Sequence, residues 1–180
     1  LADGNQAMAL LANAGATAGM LYVLITVLGP SSGAHFNPAV SLAMAIRGEQ
    51  SSRDALLYSA AHGLGAVIGV VVAHAMFGLD LVQPGTQARS GASQWLSEGV
   101  ATFGLLMTIL LGARHRPAAV PGLVAAYIFA AYWFTSSTSF ANPAVTLARS
   151  LTTTFAGIRP QDVLGFVLAH RVVGVHYLVQ

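Results

Sequence analysis

The clearest pattern along the chain is a series of long apolar runs separated by short polar segments. Five runs have, or nearly have, the length that a helix needs to cross a bilayer core of about 30 Å. They are Ala7–Leu28, Ala55–Phe77, Trp95–Leu111, Ala118–Phe134 and Val163–Val179. Because a spanning helix satisfies its own backbone hydrogen bonds, this pattern predicts an all-α membrane protein. The intervening segments are too short for a soluble domain, so we expect residues 1–180 to form a single transmembrane domain.

Two further apolar segments are too short to span a membrane. They are Asn37–Arg47 and Asn142–Leu151, and at 1.5 Å per residue each makes a helix of about 15 Å, half of the bilayer core. Both open with the residues Asn-Pro-Ala-Val, and the match continues as Ser-Leu-Ala against Thr-Leu-Ala. An internal repeat with an offset of 105 residues (142 minus 37) therefore relates the two segments.

The repeated Asn-Pro pair predicts two helix starts inside the membrane. Asn caps free N–H groups, and Pro at the first helical position loses no hydrogen bond that it would otherwise make. A helix that starts at the bilayer centre directs its positive dipole end there, and irregular backbone is tolerated only where it lines protein or water. Paired broken segments in corresponding halves of a chain thus predict a transport site at the midplane.

The composition supports the membrane class and excludes several others. Only 8% of the residues are charged and 55% are hydrophobic, whereas soluble domains carry about 25% charged residues. The net charge of +2 comes from scattered arginines, which indicate membrane-boundary anchors rather than a nucleic-acid interface. There is no cysteine, and the six histidines show no His-Glu-x-x-His spacing. We therefore expect no disulfide, no metal site and no cofactor.

The two repeated segments resemble the signature loops of a known family. Ser32–Val40 and Phe140–Val145 resemble the two Asn-Pro-Ala loops of the aquaporins, or major intrinsic proteins, and the resemblance runs from Ala7 to about Leu168. It implies an inverted-repeat bundle of six spanning helices and two re-entrant half helices. It also implies a multi-pass homotetramer in the plasma (inner) membrane, surrounded by the lipid bilayer, with one pore per subunit for water and small uncharged solutes.

The same resemblance implies roles for particular residues. The two motifs are Asn37, Pro38, Ala39 and Asn142, Pro143, Ala144. Their asparagines would donate N–H groups to a solute, and their helix dipoles would repel cations. Glu98 lies in an apolar span and needs a partner there. It is expected to accept hydrogen bonds from the backbone of a re-entrant loop, or alternatively to snorkel to the membrane edge. His35 is expected to support its loop, with its backbone carbonyl lining the pore.

The constriction departs from the family pattern. The family usually carries an arginine directly after the second Asn-Pro-Ala, where this chain has Val145, and Arg149 follows four residues later. The other constriction positions are all small residues: Ser139, Thr17 or Ala18, and Ala130 or Ala131. Small uncharged walls predict a wide constriction for neutral solutes. The substitution resembles the bacterial aquaglyceroporin-like branch associated with arsenic resistance, which implies neutral metalloid acids, and glycerol-like solutes are equally compatible.

The repeat also indicates that one helix of the expected pore wall is missing from the first half. A counterpart of Glu98 would fall at position minus 7 (98 minus 105), and the 36 residues before Asn37 hold one span and a loop. We therefore expect the first helix of the first half to be absent from this sequence. A pore without a wall helix exposes polar groups to lipid, so a non-transporting remnant is the alternative to a working channel.

The last run is atypical, because His170, Arg171 and His176 interrupt it. An arginine at mid-membrane is unfavourable. This pattern favours a frameshift or a false end near Ala169, with a channel-lining role for His170 and Arg171 as the alternative.

An enzyme is the remaining class to weigh. The segment from Gly29 to Gly33 matches the Gly-x-Ser-x-Gly nucleophile elbow. That motif requires a strand-turn-helix context, and here it follows an apolar helix. We therefore expect no enzymatic activity.

Overall fold

The computed structural model describes the backbone of residues 2–176 and the side chains of residues 2–170. Within this part of the chain the secondary structure is helical, without strands. The α-helices are α1 (Gln6–Ser32), α2 (Pro38–Ile46), α3 (Ser52–Met76), α4 (Ala92–His115), α5 (Val120–Phe134), α6 (Pro143–Arg149) and α7 (Val163–His176). Short 3₁₀ turns, Pro117–Ala119 and Pro160–Asp162, lead into α5 and α7.

Four helical stretches are long and apolar enough to cross a bilayer. They are Gln6–Ser32, Ser52–Met76, Ala92–His115 and Pro117–Phe134. They cover the first four apolar runs of the sequence except Phe77, which directly follows the second helix. The fifth run begins with α7 at Val163, where 14 residues of helix are described. The end of that run, beyond residue 176, and the side chains of Arg171 and His176 lie outside the described residues.

The ends of the helices follow from local capping. Asn5 precedes α1, and its side chain accepts a hydrogen bond of 3.0 Å from the Met8 N–H. Ser51 caps α3 in the same way through the Asp54 N–H at 3.0 Å. At the other end of α1, Gly33 has φ +71°, a left-handed conformation that glycine adopts without a steric penalty. These caps separate the long helices from the loops that enter the molecule.

The order long, short, long occurs twice, as α1-α2-α3 and α5-α6-α7. Helix α1 lies along α5, α4 lies along both α5 and α7, and α3 contacts both short helices. The short helices α2 and α6 also contact each other in the interior of the bundle. The bundle therefore has the two-half organisation that the repeated motif predicts.

Side chains on the outer faces are apolar. On α3, Leu64, Ile68 and Met76 expose 67%, 61% and 72% of their surface. The interior contains a cluster of buried apolar side chains, which are Ala14, Ala101, Leu105, Val124, Ile128, Tyr132 and Ala141. An apolar exterior around a tight interior is the arrangement that a lipid environment favours, since lipid chains solvate exposed apolar groups.

An open groove of about 610 Å³ lies beside α1 and α3. Its lining includes Ser32, Tyr58 and Gly65, and it reaches Asn142 and Val145 in the interior. In the second half of the bundle, α4 fills the corresponding place between α5 and α7. Among the described residues no helix fills it in the first half.

Candidate functional site

The two short helices begin with the same backbone geometry. Asn37 (φ −154°, ψ 119°) and Asn142 (φ −157°, ψ 113°) are extended and directly precede Pro38 and Pro143 at the first helical positions. The Asn37 Oδ1 accepts from the Ala39 N–H at 2.9 Å, and the Asn142 Oδ1 accepts from the Ala144 N–H at 2.9 Å. Each asparagine therefore caps its own helix through its side-chain oxygen and leaves its amide NH₂ free for other partners.

The two amide groups bind the opposite half of the molecule. The Asn37 Nδ2 donates to the carbonyl oxygen of Ala141 at 2.7 Å, and the Asn142 Nδ2 donates to the carbonyl oxygen of Phe36 at 2.9 Å. Because an amide nitrogen carries two N–H groups, each asparagine keeps one donor beyond this reciprocal bond. The side chains are thus fixed in orientation while a donor remains on each.

The loops that precede the asparagines hold a strained and repeated backbone. Ala34 and Phe36 have φ of 47° and 48°, and Ser139 and Ala141 have φ of 46° and 47°. Residues other than glycine rarely adopt this left-handed region, and such strain is concentrated at functional sites. The equivalent pairs are 105 residues apart (139 minus 34, and 141 minus 36). The sequence repeat is therefore reproduced in the conformation of the loops.

Both asparagines line one cavity of about 360 Å³ in the centre of the bundle. Its apolar wall includes Leu21, Ile25 and Val40. Its polar groups are few. This is typical of a site for a small molecule, in which a few hydrogen bonds determine the orientation of the ligand. The cavity can therefore accommodate a small molecule with both hydroxyl and hydrocarbon surface.

The predicted constriction residues do not all lie at this cavity. Thr17, Ser139 and Val145 line it, whereas Ala18, Ala130 and Ala131 are not among its lining residues. On α5 the cavity is lined instead by Val124, Ile128 and Tyr132, which recur every four residues and share one helix face. The wall on this side consequently carries an aromatic hydroxyl where the sequence predicts only a small residue.

The prolines and alanines of the motifs lie away from the central cavity. Pro38, Ala39 and Pro143 line a separate cavity of about 330 Å³ next to α3 and α7. Ala144 lines the groove beside α1 and α3. These four residues set the start and packing of the short helices, and only the asparagines of each motif face the central cavity.

Glu98 is completely buried and anchors the second loop. Its Oε1 accepts from the Phe140 N–H at 2.9 Å, and its Oε2 accepts from the Ala141 N–H at 2.7 Å. The His170 Nε2 lies 2.7 Å from Oε2, and both side chains have 0% exposed surface. A buried carboxylate needs such partners to offset its lost hydration. Glu98 therefore joins α4, the loop before α6, and α7.

His35 lies in the loop before α2. Its Nδ1 is 3.0 Å from the Ser41 Oγ, and its ring centroid is 5.4 Å from that of Tyr58. It also lines the central cavity. The side chain thus connects its loop to α2 and α3, while part of the residue faces the space between the asparagines.

Sequence reasoning did not single out His170 as a partner of Glu98. A weak signal exists, because Asp162 and His170 are eight residues apart (170 minus 162), as are Asp54 and His62 (62 minus 54). The two pairs are offset by 108 residues (162 minus 54), close to the 105 of the Asn-Pro-Ala repeat. Asp54 and His62 lie on α3, whereas Asp162 ends the turn before α7 and His170 lies on α7. This second repeat could have shown that His170 belongs to the repeated architecture.

Arg89 was likewise not singled out, and it ties the loop 78–91 to the bundle. Its guanidinium donates to the carbonyl oxygens of Ser137, Phe155 and Gly157 at 2.8, 3.0 and 2.8 Å. Burial and, to a smaller extent, the charge of Arg149 lower the pKa of Arg89 to about 10, although the carboxylate of Glu98 acts in the opposite direction. Arg89 therefore remains charged at neutral pH.

Asp162 holds the same loop and makes it sensitive to acid. Its Oδ2 accepts from the Arg89 N–H at 2.8 Å and from the Arg159 Nε at 3.0 Å. Burial by itself raises the pKa of Asp162, but these hydrogen bonds and the charge of Arg159 outweigh it and hold the pKa below its usual 3.8. Its stabilising contribution is thus present above the unfolded pKa and is lost as the pH falls through the lower folded value.

We therefore expect the loop 78–91 to stay protected from hydrogen exchange until the pH falls below the ordinary carboxyl range. Exchange measured in detergent, corrected for intrinsic rates, tests this. In Asp162→Asn the loop should exchange faster at neutral pH and show no further acid step. An equal acid step in Asp162→Asn would assign it to another group.

Two half-length helices that meet at an asparagine-lined cavity inside a spanning bundle define a membrane channel. The sequence model of the family described as Major intrinsic protein matches residues 2–136. The chain belongs to this family. It is therefore a multi-pass membrane protein of a channel family, with an aquaporin-like helical bundle, and family membership indicates transport rather than enzymatic catalysis.

Individual relatives support the same assignment. The chain is 58% identical over 165 residues to the aquaglyceroporin AqpS of Rhizobium meliloti (strain 1021), covering 92% of this chain and 71% of that protein. It is 34% identical over 88 residues to aquaporin Z of Brucella melitensis, covering 48% and 39% of the two chains. It is 28% identical over 117 residues to the glycerol uptake facilitator protein of Bacillus subtilis, covering 58% and 43%.

Proposed function

We propose that this chain forms a passive pore for water and small uncharged solutes, in the class of glycerol-like polyols or neutral metalloid acids. The observation that carries the proposal is the central cavity, where Asn37 and Asn142 each keep an amide donor beside a mostly apolar wall. A polyol or a neutral hydroxy acid offers oxygens to the donors and its remaining surface to the wall. The similarity to an aquaglyceroporin and to a glycerol facilitator supports this solute class.

Selection against ions follows from the same geometry. Helices α2 and α6 begin at the two asparagines, so their positive dipole ends lie at the cavity. A cation that enters loses hydration and gains no acceptor from these N–H groups, whereas a neutral hydroxyl compound gains hydrogen bonds. The pore thus passes neutral solutes along their gradient without a catalytic step.

We further propose that the protein works as a homotetramer in the plasma membrane and that its residues 1–180 act as one channel domain. The exposed apolar side chains of α3 and its neighbours support burial against lipid or other subunits. A second candidate is a non-transporting remnant. It is favoured by the groove beside α1 and α3, which leaves Asn142 accessible from the side of the bundle.

Glycerol-driven swelling of liposomes tests the proposal. Asn142→Asp keeps the oxygen that caps α6 but removes the amide donors toward Phe36 and the cavity. A lost hydrogen bond of about 1–1.5 kcal/mol predicts roughly tenfold slower solute entry, and the added carboxylate slows it further. Light scattering after an osmotic shock with glycerol measures the rate.

Asn5→Asp is the matched control, because Asn5 caps α1 at an exposed position away from the cavity. It should conduct like the parent. If the inserted parent swells no faster than empty liposomes, the chain is a remnant. If Asn142→Asp matches the parent, the pathway does not pass Asn142.

A further inference from the structure

The hydroxyl of Tyr132 has a charged partner behind the cavity wall. The Arg149 Nη2 donates to the Tyr132 Oη at 2.8 Å. The Arg149 guanidinium carbon lies 5.7 Å from the centroid of the Tyr132 ring and 4.3 Å from that of Phe140. Tyr132 and Phe140 both line the central cavity, and Arg149 is not among its lining residues. A full positive charge therefore lies one side chain away from the solute pathway.

Little on the described part of the chain neutralises this charge. None of the salt bridges between described residues involves Arg149. A second cation, Arg89, lies 5.0 Å from the Phe140 ring centroid and is electrostatically coupled to Arg149. The nearby carboxylate of Glu98 is already bound to two backbone N–H groups and to His170. The Phe140 end of the cavity thus has two guanidinium groups against one buried carboxylate.

The hydrogen bond from Arg149 also decides what the Tyr132 hydroxyl can do. Because its oxygen accepts from the guanidinium, its proton is directed to a different partner. Thr17 Oγ1 is 3.4 Å from the Tyr132 Oη, a long contact in which either oxygen can be the donor, and both residues line the cavity. A hydroxyl that accepts from a cation is polarised and becomes a stronger donor. Tyr132 can therefore donate to the oxygen of a solute in the cavity.

We propose that Arg149 adds an electrostatic cation barrier to that of the two helix dipoles and that, through Tyr132, it supplies a third solute donor besides Asn37 and Asn142. This inference rests on the proposed pore function, since it assigns specificity within the same pathway. The barrier acts through charge, whereas the donor acts through the tyrosine hydroxyl. The two contributions therefore respond to different substitutions.

Arg149→Gln tests the barrier, because glutamine keeps an N–H donor for Tyr132 and removes the charge. In liposomes we expect K⁺ leak to rise about tenfold, because the charge near the low-dielectric pathway is removed. Glycerol entry should fall by less than in Tyr132→Phe, because the Tyr132 hydroxyl remains and loses only the polarising charge. Arg114→Gln is the matched control, because Arg114, like Arg149, lies in the last turn of its helix but is exposed. Unchanged K⁺ leak in Arg149→Gln would overturn the barrier.

Arg149→Lys provides a second, independent measurement in case the glutamine variant does not insert. A lysine has an ordinary pKa of about 10.4, whereas arginine stays charged beyond about 12. The ratio of K⁺ leak between Arg149→Lys and the parent should therefore rise as the pH approaches 10.4. Taking the ratio removes the titration of Arg89, which both proteins share. A constant ratio across this range contradicts the proposal.

Tyr132→Phe tests the donor, because it keeps the ring and removes only the hydroxyl. We expect glycerol entry to fall about three- to tenfold relative to the parent, as for the loss of one hydrogen bond. Equal glycerol entry would overturn the donor role. Absence of glycerol entry in the parent itself would instead contradict the proposed function, so the two failures are distinguishable.

Discussion

Glu98→Ala is expected to unfold the loop before α6 and to abolish solute entry. The substitution leaves the N–H groups of Phe140 and Ala141 and the imidazole of His170 without their shared acceptor in a fully buried site. Breaking a buried pair of this kind destabilises a protein by about 3–5 kcal/mol. Thermal unfolding in detergent and glycerol entry in liposomes both measure the loss.

Glu49→Ala is the control for Glu98→Ala. Glu49 pairs with Arg47 at 2.7 Å, but 48% of its side chain is exposed, and exposed pairs contribute about 0–1 kcal/mol. Glu98→Gln keeps one oxygen acceptor and should fall between the parent and Glu98→Ala. If Glu98→Ala melts like Glu49→Ala, the carboxylate is not what anchors the loop.

Gly85→Ala is expected to have the second large effect. A methyl group at this position would overlap the carbonyl oxygen of Ile158, which belongs to the rigid backbone. The Gly85 N–H also donates to the Ser150 carbonyl oxygen at 2.8 Å, so the loop cannot move aside without losing that bond. Overpacking and the lost bond together should destabilise the fold by about 2–4 kcal/mol.

Displacement of this loop by Gly85→Ala should also disturb the cavity, because the loop carries Arg89. The Arg89 guanidinium lies 5.0 Å from the ring centroid of Phe140, which lines the cavity. We expect Gly85→Ala to lower the melting temperature and to expose the loop 78–91 to proteolysis. Gly63→Ala is the matched control, since nothing lies within 4 Å of a methyl group at that helical position. It should be neutral or slightly stabilising. A Gly85→Ala protein as protease-resistant as Gly63→Ala would contradict the close approach to Ile158.

Much of the fold follows from local patterns in the sequence. The long apolar runs correspond to the four long helical stretches, because an apolar segment of this length can be solvated only by lipid. The two short helices begin at Pro38 and Pro143, directly after the asparagines, since an Asn-Pro pair both caps and starts a helix. Patterns of this kind depend only on neighbouring residues, so a single sequence contains them.

The residues that line the cavity could be predicted only in part from such local patterns. The family pattern placed one constriction position near Ala130 or Ala131, whereas the residues of α5 that line the cavity include Ile128 and Tyr132. A one-residue ambiguity on a helix rotates the side chain by about 100°, so the resemblance alone leaves open which residue faces the pore. The contacts of Arg89 and His170 join residues distant in sequence, and no local pattern records them. The missing information is the three-dimensional path of the loops.

The reciprocal bonds of the two asparagines have a consequence for the order of assembly. Asn37 and the carbonyl of Ala141 are 104 residues apart in the chain, and Asn142 and the carbonyl of Phe36 are 106 residues apart. The loop before α2 therefore cannot form these two hydrogen bonds until the loop before α6 has been synthesised and inserted. Contacts of such high sequence separation form late, because the entropy of closing the chain is lost before they stabilise it. During biogenesis the centre of the pore should be the last part of the molecule to close.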